Sequence, residues 1–188
     1  MKKEIVLIRH GKVKISDTQR SSSSDLKYWV EQYDIAPLDE RSIPSQEVHD
    51  SVNSADFLIT SKLFRTIESA SRFEKTIDEK NELFNEAGVP SVHIPFLKFK
   101  AKTWLIILRV LLFTGRGKKD ASFQASKERA NNCALYLVEH SQKHNKVVLI
   151  GHGGMNFFIS RILKKQGWRL EARASSKNWG MTKLYKED

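Results

Sequence analysis

The chain has 188 residues, 40% of them hydrophobic and 29% charged, with a formal net charge of +10 and a pI of about 9.7. This length and apolar content suit one domain built around its own hydrophobic core. The only cysteine, Cys133, excludes an internal disulfide framework, and the positive charge favours an anionic substrate, polymer or membrane surface as partner.

The first predicted element is a strand at residues 5–8, with the sequence IVLI, which ends in Arg9, His10 and Gly11. A run of β-branched and leucine residues without alternation indicates a strand that is buried on both faces, as in a parallel sheet. Open α/β sheets bind ligands at the carboxyl ends of such strands. Arginine binds phosphate in a bidentate manner, imidazole acts as a nucleophile or base, and glycine lets the backbone approach a ligand. The tripeptide therefore favours an anion site, although by itself it also fits an ordinary strand end and turn.

The next segment is a loop of four serines at residues 21–24, followed by a helix that is predicted to start near Asp25. Tyr28, Trp29 and Tyr33 are spaced so that they share one face of this helix. We interpret these three aromatic residues as part of the core, since a stripe of large side chains at helical spacing is typical of a buried face.

A second buried-strand pattern, DFLITS at residues 56–61, leads into a predicted helix at residues 62–70. Arg65 lies about one turn into that helix. From there its long side chain can point back to the end of the preceding strand, so we expect it near the same sheet edge.

Residues 126–139 predict a long helix in which Cys133 occupies an apolar position, and we expect this thiol to be buried and inert. His140 and His144 follow at a spacing of four residues, which suits a metal site. Their polar neighbours at 141–143 instead indicate a solvated helix end.

A third buried-strand pattern, KVVLI at residues 146–150, runs into GHGG at residues 151–154 and then into a helical pattern. His152 is thus predicted at a helix N-terminus, where unpaired backbone N–H groups and the helix dipole favour an anion. Near the carboxyl end of the chain, the alternating residues 180–185 predict an edge strand.

Three motifs, LIRHG at 7–11, the stretch from Thr60-Ser61 through Arg65-Thr66 to Glu68-Ser69-Ala70, and IGHGG at 150–154, resemble the histidine phosphatase superfamily. They occur in the order of that family, and the resemblance extends from about residue 4 to about residue 185. It implies the phosphoglycerate mutase-like α/β fold, a three-layer structure with a mainly parallel sheet and helices on both faces. We expect a single domain over residues 1–188, with a small helical insertion, or lid, at about 89–125.

The resemblance also implies a phosphohistidine mechanism, in which His10 is the nucleophile and His152 helps to complete a positive pocket around the phosphoryl group. The residues that it assigns to phosphate binding are Arg9, Arg65, Gly11 and Gly153. A carboxylic acid would protonate the leaving oxygen and then activate water. The segment NELFNEAGVP at residues 81–90 offers two such acids, with Glu86 as the better match to the family and Glu82 as the alternative.

Residues 12–17 depart from the family pattern, because the mutase branch usually has an acidic residue directly after the glycine and a Trp-Asn pair a few positions later, and neither is present here. This difference favours a phosphatase over a mutase. The scattered acids Asp17, Asp25, Asp34 and Asp39 show no spacing typical of metal ligands. Since the pocket supplies its own positive charge, we expect neither a metal ion nor another cofactor.

Much of the excess positive charge lies in residues 98–119, and the apolar residues 104–113 within it are too short to span a bilayer. The first interpretation is a lid helix packed over the active site, and the alternative is a surface for a membrane or a protein partner.

Two functions remain open. The first is a phosphoric monoester hydrolase of the histidine acid phosphatase type that acts on a small phosphorylated substrate. The second is a weakly active or inactive basic module that binds an anionic polymer or membrane. The complete set of predicted catalytic residues favours the hydrolase, and we do not expect a nucleic acid partner. The N-terminus leads directly into the strand that carries the chemistry, which predicts a cytoplasmic location without a cleaved leader.

Overall fold

The computed structural model describes residues 2–86, 96–113, 121–171 and 175–187. The strands, in chain order, are β1 (Lys2–Arg9), β2 (Arg20–Ser21), β3 (Phe57–Thr60), β4 (Glu79–Lys80), β5 (Phe99–Lys100), β6 (Lys146–Gly151), β7 (Arg169–Leu170) and β8 (Met181–Glu187). The α-helices are α1 (Leu26–Ile35), α2 (Gln46–Asn53), α3 (Phe64–Ala70), α4 (Ala101–Phe113), α5 (Ala121–Lys143) and α6 (Gly153–Lys165).

Within the described ranges, the main sheet has the strand order β4-β3-β6-β1-β8-β7. Its first four strands pair in parallel, whereas β8 runs antiparallel to both of its neighbours. The two strands that carry the histidine motifs, β1 and β6, are therefore adjacent and central. Helices cover both faces of this sheet, so the predicted three-layer, mainly parallel α/β fold is confirmed.

The absence of alternating apolar and polar residues in β1 has a direct structural cause. Ile5 and Leu7 pack into a cluster with α5 and α6 on one face of the sheet. Val6 and Ile8 pack into a second cluster with α2 and α3 on the other face. All four side chains are at most 1% exposed. Each contributes roughly 1.5–3 kcal/mol of burial free energy, which favours apolar residues at every position.

The prediction of an edge strand at residues 180–185 is wrong. Leu184 of β8 pairs with Ile5 of β1 on one side and with Leu170 of β7 on the other. The alternating burial of β8 is real, but it reflects one covered face rather than an open edge. A two-residue strand such as β7 has no pattern that a sequence could reveal.

Cys133 lies fully buried in the α5 face of the core, as expected. Burial raises the pKa of its thiol to about 12. The thiol therefore stays protonated at neutral pH and donates to the carbonyl oxygen of Leu83, with 3.2 Å between sulfur and oxygen.

A small third cluster joins α1 to α4, beside the two-stranded ribbon of β2 and β5. Leu26 of α1 packs with Trp104 and Leu108 of α4, and the indole of Trp104 donates to the backbone oxygen of Ser21. The described part of the predicted insertion thus packs its apolar side on α1. The remainder of the 89–125 segment, residues 89–95 and 114–120, lies outside the described residues, while α5 already begins at Ala121.

The aromatic residues of α1 differ in burial, and Tyr33 packs, partly buried, against the core cluster that contains Val6 and Ile8. Trp29 packs against the cluster shared with α4 and stacks on Tyr33, with 5.1 Å between ring centroids. Tyr28 is 69% exposed, so its assignment to the core is wrong. No helix among the described residues is both long and apolar enough to cross a membrane.

Candidate active site

The three predicted motifs meet at one edge of the sheet, because β1, β6 and β3 are neighbours and run parallel. Arg9 pairs with Gly151, and Thr60 pairs with Ile150. The residues that follow these strand ends therefore lie side by side, as expected for parallel strands.

His10 is 2% exposed, and its backbone N–H donates to the carbonyl oxygen of Gly151 over 3.0 Å. Its Nδ1 lies 2.7 Å from the carbonyl oxygen of Gly11. A carbonyl oxygen only accepts, so this contact places a proton on Nδ1. In the neutral ring, Nε2 is then the nitrogen that carries the nucleophilic lone pair.

His152 faces His10, with 5.3 Å between ring centroids and 60° between ring planes. It is fully buried and occupies the position just before α6. Its Nε2 lies 2.8 Å from the hydroxyl of Ser61, which in turn lies 2.8 Å from the hydroxyl of Thr66. The first turn of α3 therefore holds the orientation of this imidazole.

Both predicted arginines reach the pocket. Arg65 is only 4% exposed, and its Nη1 donates to Oδ1 of Asp34 over 2.6 Å. Arg9 donates from Nη1 to the backbone oxygen of Ser176 over 2.7 Å. The Nε atoms of both arginines are buried and find no acceptor among the described residues. A buried donor without a partner costs about 1–3 kcal/mol, which a bound anion would offset.

Glu86, rather than Glu82, lies against the start of α6. Its Oε1 accepts from the backbone N–H of Met155 over 3.3 Å. A side chain at Gly154 would not fit there, since its Cβ would lie 2.8 Å from that oxygen. The side chain of Glu82 is 74% exposed and pairs with Lys62 over 3.4 Å.

The two glycines assigned to phosphate binding are both closely packed. A Cβ at Gly153 would lie 3.3 Å from Cδ of Arg9, so this glycine makes room for that arginine. A Cβ at Gly11 would lie 2.6 Å from the indole of Trp179. Position 11 thus requires glycine because the indole of Trp179 fills the space that a side chain would need. The close approach of Gly11 to phosphate stays a prediction.

Trp179 and its neighbour support the loop after β1 in a way that the sequence did not indicate. The backbone N–H of Trp179 donates to the carbonyl oxygen of Arg9, and its indole donates to Ser42, each over 3.0 Å. Asn178 donates to the carbonyl oxygen of His10 over 3.0 Å. Neither residue lies in one of the three motifs, so no local signal marked them.

Tyr33 also belongs to the pocket. Its ring lies 5.0 Å below the guanidinium of Arg65 and 6.4 Å from the ring of His10. Burial raises the pKa of its phenol, while the positive charges of Arg65 and Arg9 oppose this rise and the carboxylate of Glu86 adds to it. The phenol therefore stays protonated among the same charged groups that were predicted to surround the phosphoryl group.

Within the described ranges, no three His, Cys, Asp or Glu side chains are grouped so that they could hold a metal ion. His140 and His144 stack on Phe57, with 4.4 Å and 4.8 Å between ring centroids, at the opposite end of β3 from Thr60. The predicted solvated helix end is thus partly covered by an aromatic ring.

Comparisons with protein-family models and with curated proteins found no match. Among solved structures, phosphoglycerate mutase from Bacillus anthracis is similar over 99% of this chain and 88% of its own, with a TM-score of 0.59 and 14% identity. A mutant phosphoserine phosphatase from Entamoeba histolytica in complex with phosphoserine is similar over 96% of this chain and 89% of its own, with a TM-score of 0.58 and 15% identity. Mycobacterial glucosyl-3-phosphoglycerate phosphatase is similar over 98% of this chain and 91% of its own, with a TM-score of 0.52 and 14% identity. These neighbours are phosphoglycerate mutase-like histidine phosphatases, so the resemblance is confirmed at the level of the fold.

Proposed function

We propose that this chain, which has the phosphoglycerate mutase-like fold, is a metal-independent phosphomonoester hydrolase of the histidine acid phosphatase type. The observation that carries the proposal is the pairing of two buried histidines beside two arginines. The His10 and His152 rings lie 5.3 Å apart, and the Nε atoms of Arg9 and Arg65 are buried without an acceptor in the described residues. Such a set of donors suits the dianion of a phosphate monoester, whose equatorial oxygens gather charge in the transition state.

In the first step, Nε2 of His10 attacks phosphorus while the ester P–O bond breaks. Glu86 gives its proton to the leaving oxygen, which departs as an alcohol. The products of this step are phosphohistidine and the Glu86 carboxylate. The carbonyl oxygen of Gly11, which accepts from Nδ1–H of His10, stabilises the positive charge that develops on the ring.

In the second step, the Glu86 carboxylate takes a proton from water, whose oxygen attacks phosphorus as the P–N bond breaks. Inorganic phosphate leaves, His10 recovers its lone pair and Glu86 its proton. Arg9, Arg65 and His152 neutralise the phosphoryl oxygens in both steps, which is why the reaction needs no metal ion. Glu86 accepts from the backbone N–H of Met155, three residues after His152, and this contact supports its role as the acid.

Two features support hydrolysis of a small substrate. Lys12 directly follows Gly11, where the mutase branch has an acidic residue, and residues 13–17 lack the Trp-Asn pair of that branch. The structural neighbours include a phosphoserine phosphatase and a glucosyl-3-phosphoglycerate phosphatase, both of which act on small phosphate esters by name.

The test is a screen of phosphorylated metabolites between about pH 5 and 8 in EDTA. The reaction with the best substrate is then quenched in base, without exposure to acid. We expect base-stable, acid-labile phosphate on His10 in the quenched protein. Full activity of His10→Ala, with release of phosphate from the same substrate, would overturn the mechanism.

A further inference from the structure

Helix α1 brings to the pocket two residues that lie outside all three sequence motifs. Tyr33 and Asp34 occupy its last turn, just before the helix ends at Ile35. Both contact the same side chain, Arg65 of α3.

The two contacts restrain the guanidinium of Arg65 in two directions. Asp34 accepts from Nη1 at the edge of the group over 2.6 Å. Tyr33 lies against its face, with 5.0 Å from the central carbon to the ring centroid. A planar guanidinium held at one edge and one face has little freedom to rotate.

The restraint leaves a donor available. Nη1 of Arg65 is used by Asp34, whereas Nε is buried and has no acceptor among the described residues. Arg65 itself is only 4% exposed, while Asp34 is 40% exposed. The carboxylate therefore approaches the arginine from the solvent side and does not occupy the buried nitrogen.

We infer that Asp34 is a positioning residue, which orients Arg65 towards the phosphoryl group on the platform of the Tyr33 ring. This inference rests on the proposed hydrolase function. Transition-state stabilisation by a guanidinium depends on donors that are already directed at the oxygens where charge develops. Asp34 and Tyr33 supply that direction through their contacts with the guanidinium of Arg65.

A purely electrostatic role of Asp34 and an orienting role predict opposite changes in anion binding when Asp34 is removed. The negative charge of Asp34 by itself weakens the attraction of the pocket for an anion, so that its removal would strengthen phosphate binding. If orientation of Arg65 dominates, removal of Asp34 weakens both turnover and the binding of vanadate, which takes the trigonal geometry of the transferring group. We expect the second result.

The experiment is a double-mutant cycle with Asp34→Ala, Arg65→Ala and the double variant, using kcat/KM for p-nitrophenyl phosphate and the affinity for vanadate. Asp34→Ala should lower kcat/KM about tenfold in the wild-type chain and less than about twofold in Arg65→Ala, because coupled residues are not additive. Where Arg65→Ala is too slow to assay, vanadate titration supplies the same comparison. Asp34→Asn, which keeps an oxygen acceptor, should lose less than Asp34→Ala.

Glu31→Ala is the matched control, since Glu31 lies on the same helix and pairs only with Lys27 at 3.9 Å in the described residues. It should change neither quantity. Equal losses from Asp34→Ala in both backgrounds, or tighter vanadate binding, would overturn the inference and leave the proposed function intact. A wild-type chain that binds no vanadate and hydrolyses no phosphate ester would overturn the proposed function and the inference with it.

Discussion

Ser61 and His152 lie 91 positions apart in the chain, yet the hydroxyl of Ser61 is 2.8 Å from Nε2 of His152. The same hydroxyl contacts Thr66 and accepts from the backbone N–H of Leu63. One buried oxygen thus ties the end of β3, the start of α3 and the second histidine together. This arrangement makes Ser61 part of the support of the pocket.

Ser61→Ala should lower both stability and turnover. The change leaves buried polar groups of His152 and Thr66 without this partner, which costs about 1–3 kcal/mol of unfolding free energy. A less restrained imidazole should lower kcat about tenfold, in line with the loss of one hydrogen bond. Urea denaturation and steady-state kinetics measure the two effects. Ser71→Ala, which removes an exposed hydroxyl immediately after α3, is the control and should change neither.

His10 and His152 should respond differently to replacement by alanine. His10→Ala removes the nucleophile, so no phosphoenzyme should form. His152→Ala removes a donor to the phosphoryl oxygens, and we expect about a 100-fold lower kcat with phosphoenzyme still detectable. Rapid quenching in base, followed by mapping of the labelled peptide, distinguishes the two variants. Label on residue 152 instead of residue 10 would exchange the assigned roles.

Glu86→Gln should affect substrates according to their leaving groups. An alkoxide needs a proton to depart, so the rate for an alkyl phosphate should fall about 100-fold or more, within the range of general acid catalysis. The burst of p-nitrophenol from p-nitrophenyl phosphate needs little protonation and should be nearly unchanged, although later hydrolysis of the phosphoenzyme slows.

Glu82→Gln provides the matched control for this test, because Glu82 lies four positions away and its exposed carboxylate pairs with Lys62. Its burst and steady-state rates should resemble those of the wild-type chain. A leaving-group effect in Glu82→Gln, and not in Glu86→Gln, would identify the other carboxylate as the acid.

Removal of divalent ions should leave turnover unchanged. The proposed pocket neutralises the phosphoryl oxygens with Arg9, Arg65 and His152, so EDTA has nothing to remove from it. Vanadate should inhibit competitively, because it resembles the transferring phosphoryl group. Activity that disappears in EDTA and returns with Mg²⁺ or Zn²⁺ would indicate metal-assisted chemistry instead.

Gly11→Ala should disturb the nucleophile through Trp179. The added Cβ would lie 2.6 Å from the indole, which must move. Overpacking of this kind costs about 1–3 kcal/mol. Displacement of Trp179 also carries Asn178 away from the His10 carbonyl, so kcat should fall along with the melting temperature. The double variant with Trp179→Phe, whose ring is smaller, should recover part of both losses, whereas purely additive losses would contradict the steric explanation.

The residues that local patterns could predict are those that follow buried strands. Arg9, His10 and His152 come directly after β1 and β6, and parallel strands place their carboxyl ends together. Ser61 and Asp34 could not be assigned a role in this way. Their function depends on partners 91 and 31 positions away, and no spacing within a helix or strand encodes such a contact.

Tyr33 shows a second limit of sequence patterns. Helical spacing indicated that it shares a face with Trp29, and the two rings do stack. Spacing does not distinguish a ring that packs in the core from one that forms the wall of a pocket, because both are shielded from water. Only the position of α3 beside α1 brings the Arg65 guanidinium over this ring.

The packing of α1 on α4 extends the influence of the pocket beyond its own residues. Leu26 at the beginning of α1 contacts Trp104 of α4, while Asp34 near its end holds Arg65. These two positions are about 12 Å apart along one continuous helix, which behaves as a short rod. On the proposed function, a substitution at Trp104 that shifts this rod would also shift Asp34 and the Arg65 guanidinium that it holds, and would thereby change how firmly phosphate is bound. A change in the α4 segment would thus tune the proposed phosphate site from outside it.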